Sequence, residues 1–172
     1  MPSTVLRHWQ PADEADILGL NAESESVLSP MDDDRFAALR SMCCLLKVAE
    51  TDDRVVGFLM GFSDGAGYDS VNYRWFASRL QRFLYIDRVV ITQELRGTGL
   101  GRRFYTEAER WAAARKLHWL AAEVDLQPPN TASLGFHQRL AFVEVGRQVA
   151  GNGKQVSLQV RSISPRGAAS EG

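Results

Sequence analysis

Two carboxylates, a tyrosine and a histidine that can exchange protons lie in the stretches around a glycine-rich hexapeptide. Tyr85 and Asp87 precede it, and Glu123 and His137 follow it. A carboxylate can take a proton from an ammonium group, and an imidazole can exchange one near neutral pH. The hexapeptide, Arg96-Gly97-Thr98-Gly99-Leu100-Gly101, places three glycines at alternate positions. Glycine reaches backbone conformations closed to other residues and leaves neighbouring N–H groups unobstructed, so such a loop can wrap an anion. Two common phosphate loops do not fit. A P-loop needs Lys-Ser or Lys-Thr after its last glycine, and a dinucleotide fingerprint needs a glycine where Arg102 stands, but Gly101 is followed by Arg102-Arg103.

The elements that must position these groups follow from periodicity. Residues 83–91, FLYIDRVVI, are rich in β-branched and aromatic side chains and long enough for one buried strand. After the loop, Leu100, Phe104, Ala108, Trp111 and Ala112 recur at helical spacing, with Arg102, Arg103, Glu107, Glu109 and Arg110 on the other face. Strand, glycine loop and helix together aim the helix's first-turn N–H groups and the positive end of its dipole at the loop's occupant, which favours phosphate. Tyr85, Asp87, Val89 and Ile91 share one face of the strand, and Glu123 and Asp125 share a face of the strand 118–126.

The Arg-x-x-Gly-x-Gly pattern on Arg96, Gly99 and Gly101 resembles the coenzyme A loop of the GCN5-related N-acetyltransferases, the GNAT family. A second stretch is similar to that family's C-terminal motif: Asn130 and Ser133, then His137 in the place of a tyrosine, Ala141 where glycine is usual, and Phe142. The resemblance covers residues 83–146 and rests on strand order elsewhere. It implies acetyl-CoA as cofactor, with its pyrophosphate on the backbone of Arg96, Gly97, Thr98, Gly99, Leu100, Gly101 and Arg102. Its thioester and pantetheine would meet the N–H groups of Val89, Val90 and Ile91, with Asn130 and Ser133 near the pantetheine arm, although Asn130 reads equally as a helix cap.

The implied fold is α+β: a mixed, mostly antiparallel sheet of six or seven strands, flanked by about four helices and splayed at the cofactor loop. The implied activity is transfer of an acetyl group to the primary amine of a small molecule, by direct attack on the thioester. A peptide or protein N-terminal acetyltransferase and a non-catalytic acyl-CoA-binding regulatory module are the alternatives, the latter suggested by the missing tyrosine. A primary ammonium of pKa ~10 must lose its proton before it attacks. Asp87 leads as base, because diamine acetyltransferases carry an acid at this spacing from the loop, and Glu123 is its rival. Glu123 could also join Asp125 in binding a cationic acceptor, and Arg88 is expected on the face opposite Asp87. As the acid for the leaving thiolate His137 takes the tyrosine's place, with Tyr85 and then Tyr105 as substitutes.

The rest of the chain supplies a scaffold. With 172 residues, 45% hydrophobic and 24% charged, the composition is that of one globular domain, expected over residues 1–163, with 164–172 read as a disordered tail. A formal net charge of −1 gives no global field for nucleic acid or anionic membrane, so neither is an expected partner, while a homodimer is left open. Cys43-Cys44 are adjacent, which suits neither an ordinary disulfide nor a metal site, so no metal is expected and both read as buried, reduced core residues. No run approaches the roughly 20 apolar residues of a membrane span, and the first residues lack signal-peptide character, which makes the cytoplasm the default location.

In order, the pattern predicts a strand at 4–9, a helix started by Pro11 and a second headed by Asp32-Asp33-Asp34. A hairpin of 45–50 with 55–62 follows, then an aromatic connection, 63–82, with a helical piece near 72–81. In the resemblance that connection is where acceptor specificity often sits, so it reads either as a substrate lid or as aromatics packing onto the core. A helix from about Asn130 and a closing hairpin of 142–150 with 154–161 complete the reading.

Overall fold

The computed structural model describes residues 2–25 and 28–163; the expected tail, 164–172, lies outside them. The described residues form seven strands in one sheet of order β1-β2-β3-β4-β5-β7-β6. These are β1 (Val5–His8), β2 (Leu45–Thr51), β3 (Arg54–Ser63), β4 (Phe83–Ile91), β5 (Trp119–Asp125), β6 (Val143–Val149) and β7 (Gln155–Ser162). Five α-helices accompany them: α1 (Glu14–Glu23), α2 (Asp33–Met42), α3 (Val71–Ala77), α4 (Leu100–Ala114) and α5 (Thr131–Arg139). Mixed α+β architecture with a mostly antiparallel sheet is therefore present, and the helix beyond the expected four is α3, inside the aromatic connection. Pro11 opens a 3-10 turn, Pro11–Asp13, rather than the α-helix itself. Among the described residues no helix is long and apolar enough to cross a membrane.

Two compact units divide the chain. The first comprises Met1–Phe62 and Ile86–Tyr105. In it β1 and β2 pair antiparallel from Val5↔Glu50 to His8↔Lys47, and β2 pairs with β3. The β2–β3 turn places both Asp52 and Asp53 at positive φ, 51° and 60°, the backbone that a tight hairpin requires and that Asp tolerates. Asp32 Oδ1 accepts the Arg35 N–H at 2.7 Å, so the head of the acidic run is the cap of α2. Ile17, Phe36, Leu39, Val48, Phe58 and Leu59 are fully buried in this unit's core. Cys43 and Cys44 are half-buried rather than core residues, and both are free thiols. Burial and the neighbouring Cys44 push the Cys43 thiol up to about 11, which keeps it protonated and unreactive at neutral pH.

The second unit comprises Ser63–Tyr85 and Thr106–Gly172. Here the start of β4 pairs parallel with β5 through Phe83↔Trp119, Leu84↔Leu120 and Tyr85↔Ala121. β7 lies antiparallel to β5 on one side and to β6 on the other. β4 and α4 contribute residues to both units. The stripe read along α4 is buried at Leu100, Phe104, Ala108 and Ala112, whereas Trp111 stays partly exposed under the Arg115 guanidinium, 3.9 Å from its ring.

Candidate active site

In the first unit the glycine loop is built as its glycines require. Gly97 and Gly99 have φ of 76° and 89°, a region that residues with a side chain rarely adopt. Arg96 Nε donates to the Ile91 carbonyl at 3.2 Å and Thr98 Oγ1 to the Leu95 carbonyl at 2.6 Å, so the loop is held by its own flanks. The first helical bond of α4 runs from Arg103 N–H to the Gly99 carbonyl, 3.1 Å. The N–H groups of Leu100, Gly101 and Arg102 stand ahead of that bond, where a helix has no carbonyl of its own to offer them. A cradle of this kind fits the pyrophosphate of coenzyme A.

In the same unit β3 and β4 approach closely at Gly57, a glycine that sequence reasoning missed. A Cβ added to Gly57 would lie 2.8 Å from the Val90 carbonyl oxygen and 3.3 Å from the Phe104 ring. Gly57 thus permits the strand spacing that carries Val89, Val90 and Ile91, and a lone glycine inside a strand is the signal that marks it.

Asp87 does not stand apart from Arg88 as alternation predicted. The Arg88 Nε lies 2.6 Å from Asp87 Oδ2, and both side chains are almost wholly buried. The arginine stem curls back along the strand, and its Nη1 reaches Asn21 Oδ1 at 2.8 Å and the Ser29 carbonyl at 3.4 Å. The structure therefore commits Asp87 to an internal ion pair, joined to the end of α1 and the segment after it.

In the second unit Tyr85 and Glu123 come together. The Tyr85 hydroxyl donates to Glu123 Oε2 at 2.5 Å, across the two strands that pair up to Tyr85↔Ala121. Asp125, two residues on, is bound to Lys154 Nζ at 3.4 Å, so the expected carboxylate pair on β5 is divided between two partners. Tyr73 sits between Tyr68, 5.6 Å, and Tyr85, 5.8 Å, while its hydroxyl donates to the Ser63 carbonyl. A Cβ at Gly146 on β6 would lie 2.5 Å from the Trp75 ring. Of the two readings of 63–82, aromatics packed onto the core is the one this arrangement supports.

Asn130, Ser133 and His137 also meet, at the two ends of α5. Asn130 Oδ1 accepts the Ser133 N–H at 3.2 Å, which is a helix cap. His137 Nδ1 is 2.8 Å from the Ser133 carbonyl oxygen. A carbonyl only accepts, so Nδ1 carries the proton in the neutral ring. Burial pushes the His137 pKa below its ordinary value, against the opposing pull of that bond. The helix then ends in a Schellman motif: Ala141 N–H to the Gln138 carbonyl, 3.0 Å, and Phe142 N–H to the His137 carbonyl, 3.0 Å. The His137 ring meets Phe142 edge-on at 5.1 Å, the hydrophobic contact this motif usually carries.

The family model described as Acetyltransferase (GNAT) family matches residues 8–142. Similar solved structures include Ard1 from Thermoplasma volcanium, 13% identical over 94% of this chain and 98% of that one, with a TM-score of 0.76. yncA from Salmonella typhimurium, solved with its cofactor acetyl-CoA, is 20% identical over 94% and 95%, TM-score 0.72. The ribosomal-protein-alanine N-acetyltransferase from Brucella melitensis is 22% identical over 92% and 99%, TM-score 0.70. A search of curated protein sequences finds no match. With most of its length matched by the family model and its fold shared with these structures, the chain belongs to the GNAT family of acetyl-CoA-dependent N-acetyltransferases.

Proposed function

We propose that residues 1–163 act as one acetyltransferase domain that acetylates the primary amine of a small molecule, with Glu123 as general base. The observation that carries this reading is the Tyr85–Glu123 hydrogen bond: it holds a partly exposed carboxylate at the end of the β4–β5 ladder. Asp87 is the weaker candidate, because taking up a proton would cost it the buried pairing with Arg88.

Acetyl-CoA, when bound, would supply the acetyl group as a thioester, with coenzyme A as the thiolate leaving group. The first-turn N–H groups of α4 and the backbone of the 96–99 loop would hold its pyrophosphate, with Arg96 and Arg102 adding positive charge. Backbone N–H groups of Val89, Val90 and Ile91 would hold the pantetheine and thioester, and Asn130 and Ser133 are the side chains proposed for the pantetheine arm. Glu123 accepts one proton from the substrate ammonium, which frees the nitrogen lone pair to form the N–C bond as the C–S bond breaks, and the nitrogen's second proton goes to the departing thiolate or to water. His137 has no proton to spare at neutral pH, since its Nδ1–H is given to Ser133 and its charged form is disfavoured by burial. A thiol of pKa about 8.5 leaves readily enough that no strong acid is needed.

Release of free thiol is measured with a panel of small primary amines and of peptides with free N-termini. Turnover with small amines, lowered by roughly 10²–10⁴ in Glu123→Gln, is the expected result. The ribosomal-protein-alanine N-acetyltransferase among the similar structures favours a peptide amino terminus as the second reading. Turnover confined to peptides would replace the small acceptor with that one.

A further inference from the structure

The geometry points to Tyr85 as a positioning residue that acts through Glu123, rather than as the proton donor to the leaving group; this rests on the reading of Glu123 as base. The Tyr85 side chain is 0% exposed. Its ring is packed by Tyr73 and Phe76 of α3, each 5.8 Å away between centroids. Tyr73 is itself fixed, because its hydroxyl donates to the Ser63 carbonyl at 2.7 Å and accepts the Ala66 N–H at 3.1 Å. Swinging the phenol toward a leaving group would therefore unpack α3.

The hydroxyl gives its proton to Glu123. An ionised carboxylate only accepts, so the 2.5 Å contact is Tyr85 O–H to Glu123 Oε2, a short, charge-assisted bond. Glutamate has three rotatable torsions, and a base works only within hydrogen-bond reach of the proton it removes. A buried phenol anchored by two aromatic neighbours removes that freedom at one oxygen. Tyr85 makes no bond to substrate in this role; it sets where Glu123 stands.

A double-mutant cycle on the full chain tests this. kcat is measured at saturating acetyl-CoA, with the best amine of the panel, for wild type, Tyr85→Phe, Glu123→Gln and the double variant; Tyr73→Phe serves as a packing control. Tyr85→Phe should lower kcat by about 10- to 100-fold, the scale seen when a partner that orients a reactive group is lost, with the KM for acetyl-CoA unchanged. In the Glu123→Gln background the same substitution should change kcat by less than about 2-fold, because residues acting as one unit are not additive. Multiplying losses would give Tyr85 a catalytic role of its own and overturn the inference while leaving Glu123 as base. A Tyr85→Phe enzyme at wild-type kcat would also overturn it, as would an equal loss in Tyr73→Phe, which would assign the effect to packing. Glu123→Gln at wild-type kcat would remove the base assignment itself, a result separable from the others.

Discussion

At the scale of single residues, His137 shows how a side chain in a catalytic position of a motif can be taken up by structure. Its carbonyl, its Nδ1–H and its ring are used by the helix end, by Ser133 and by Phe142. The sequence showed only that an imidazole replaces a phenol, which left proton donation open; the bond to Ser133 is made across one helical turn and has no sequence signature. The folded state holds the ring neutral, whereas the unfolded chain takes up a proton near the ordinary value of 6.5. As pH falls below 6.5 the unfolded state therefore gains protons that the folded state refuses, and stability drops; above it the contribution is fully present. Denaturation midpoints on either side of pH 6.5 should show this slope in the wild type, and His137→Phe should flatten it while keeping turnover within about threefold. A hundredfold loss of kcat with the midpoint unchanged would return His137 to the chemistry. Arg88 was misread for a related reason: strand alternation places Cβ atoms, and a long guanidinium stem can double back onto the residue before it.

Elements were far more legible than contacts. β4 occupies the expected 83–91, because its run of β-branched and aromatic residues is bounded by turn chemistry, and α4 opens at Leu100 as the apolar period requires. The loop between them rests on dihedrals, which glycine spacing reports directly. A Cβ at Gly99 would meet nothing within 4 Å, yet φ there is 89°, so Gly99→Val should act through backbone strain rather than crowding. Calorimetric titration of the folded variant should show coenzyme A binding abolished; unchanged affinity would mean the loop does not carry the pyrophosphate. The end of α5 supplies an opposite case. Ala141 sits at φ 64° in the position after the helix cap, where glycine is the usual residue. Left-handed alanine costs about 1–2 kcal/mol, of which glycine's greater unfolded-state entropy returns about 0.4–1. Ala141→Gly should therefore stabilise the protein by about 0.5–1 kcal/mol, read as a higher denaturant midpoint at constant slope.

At the scale of the whole molecule, the loop, with Val89, Val90 and Ile91, falls in the first compact unit, and Tyr85, Glu123 and α5 fall in the second. Local patterns made the contents of each unit legible, but the pairings that build the sheet join residues distant in sequence, such as Glu123↔Leu158, and no local pattern specifies them. Anything that binds only the folded chain stabilises it by RT ln(1 + [L]/Kd), about 2.7 kcal/mol at a hundredfold excess over Kd. For a chain of this length that corresponds to a rise in Tm of about 5–10 °C. Binding to the loop and catalysis at β5 should separate cleanly in such a measurement. Glu123→Gln should keep the full rise with coenzyme A while losing turnover, because the proposed reading gives its carboxylate to the acceptor's chemistry rather than to the pyrophosphate cradle. Gly99→Val should lose the rise and the turnover together. Thermal melts of the three proteins with and without coenzyme A make the comparison, and a Glu123→Gln protein that no longer responds to coenzyme A would move Glu123 from proton transfer to cofactor binding.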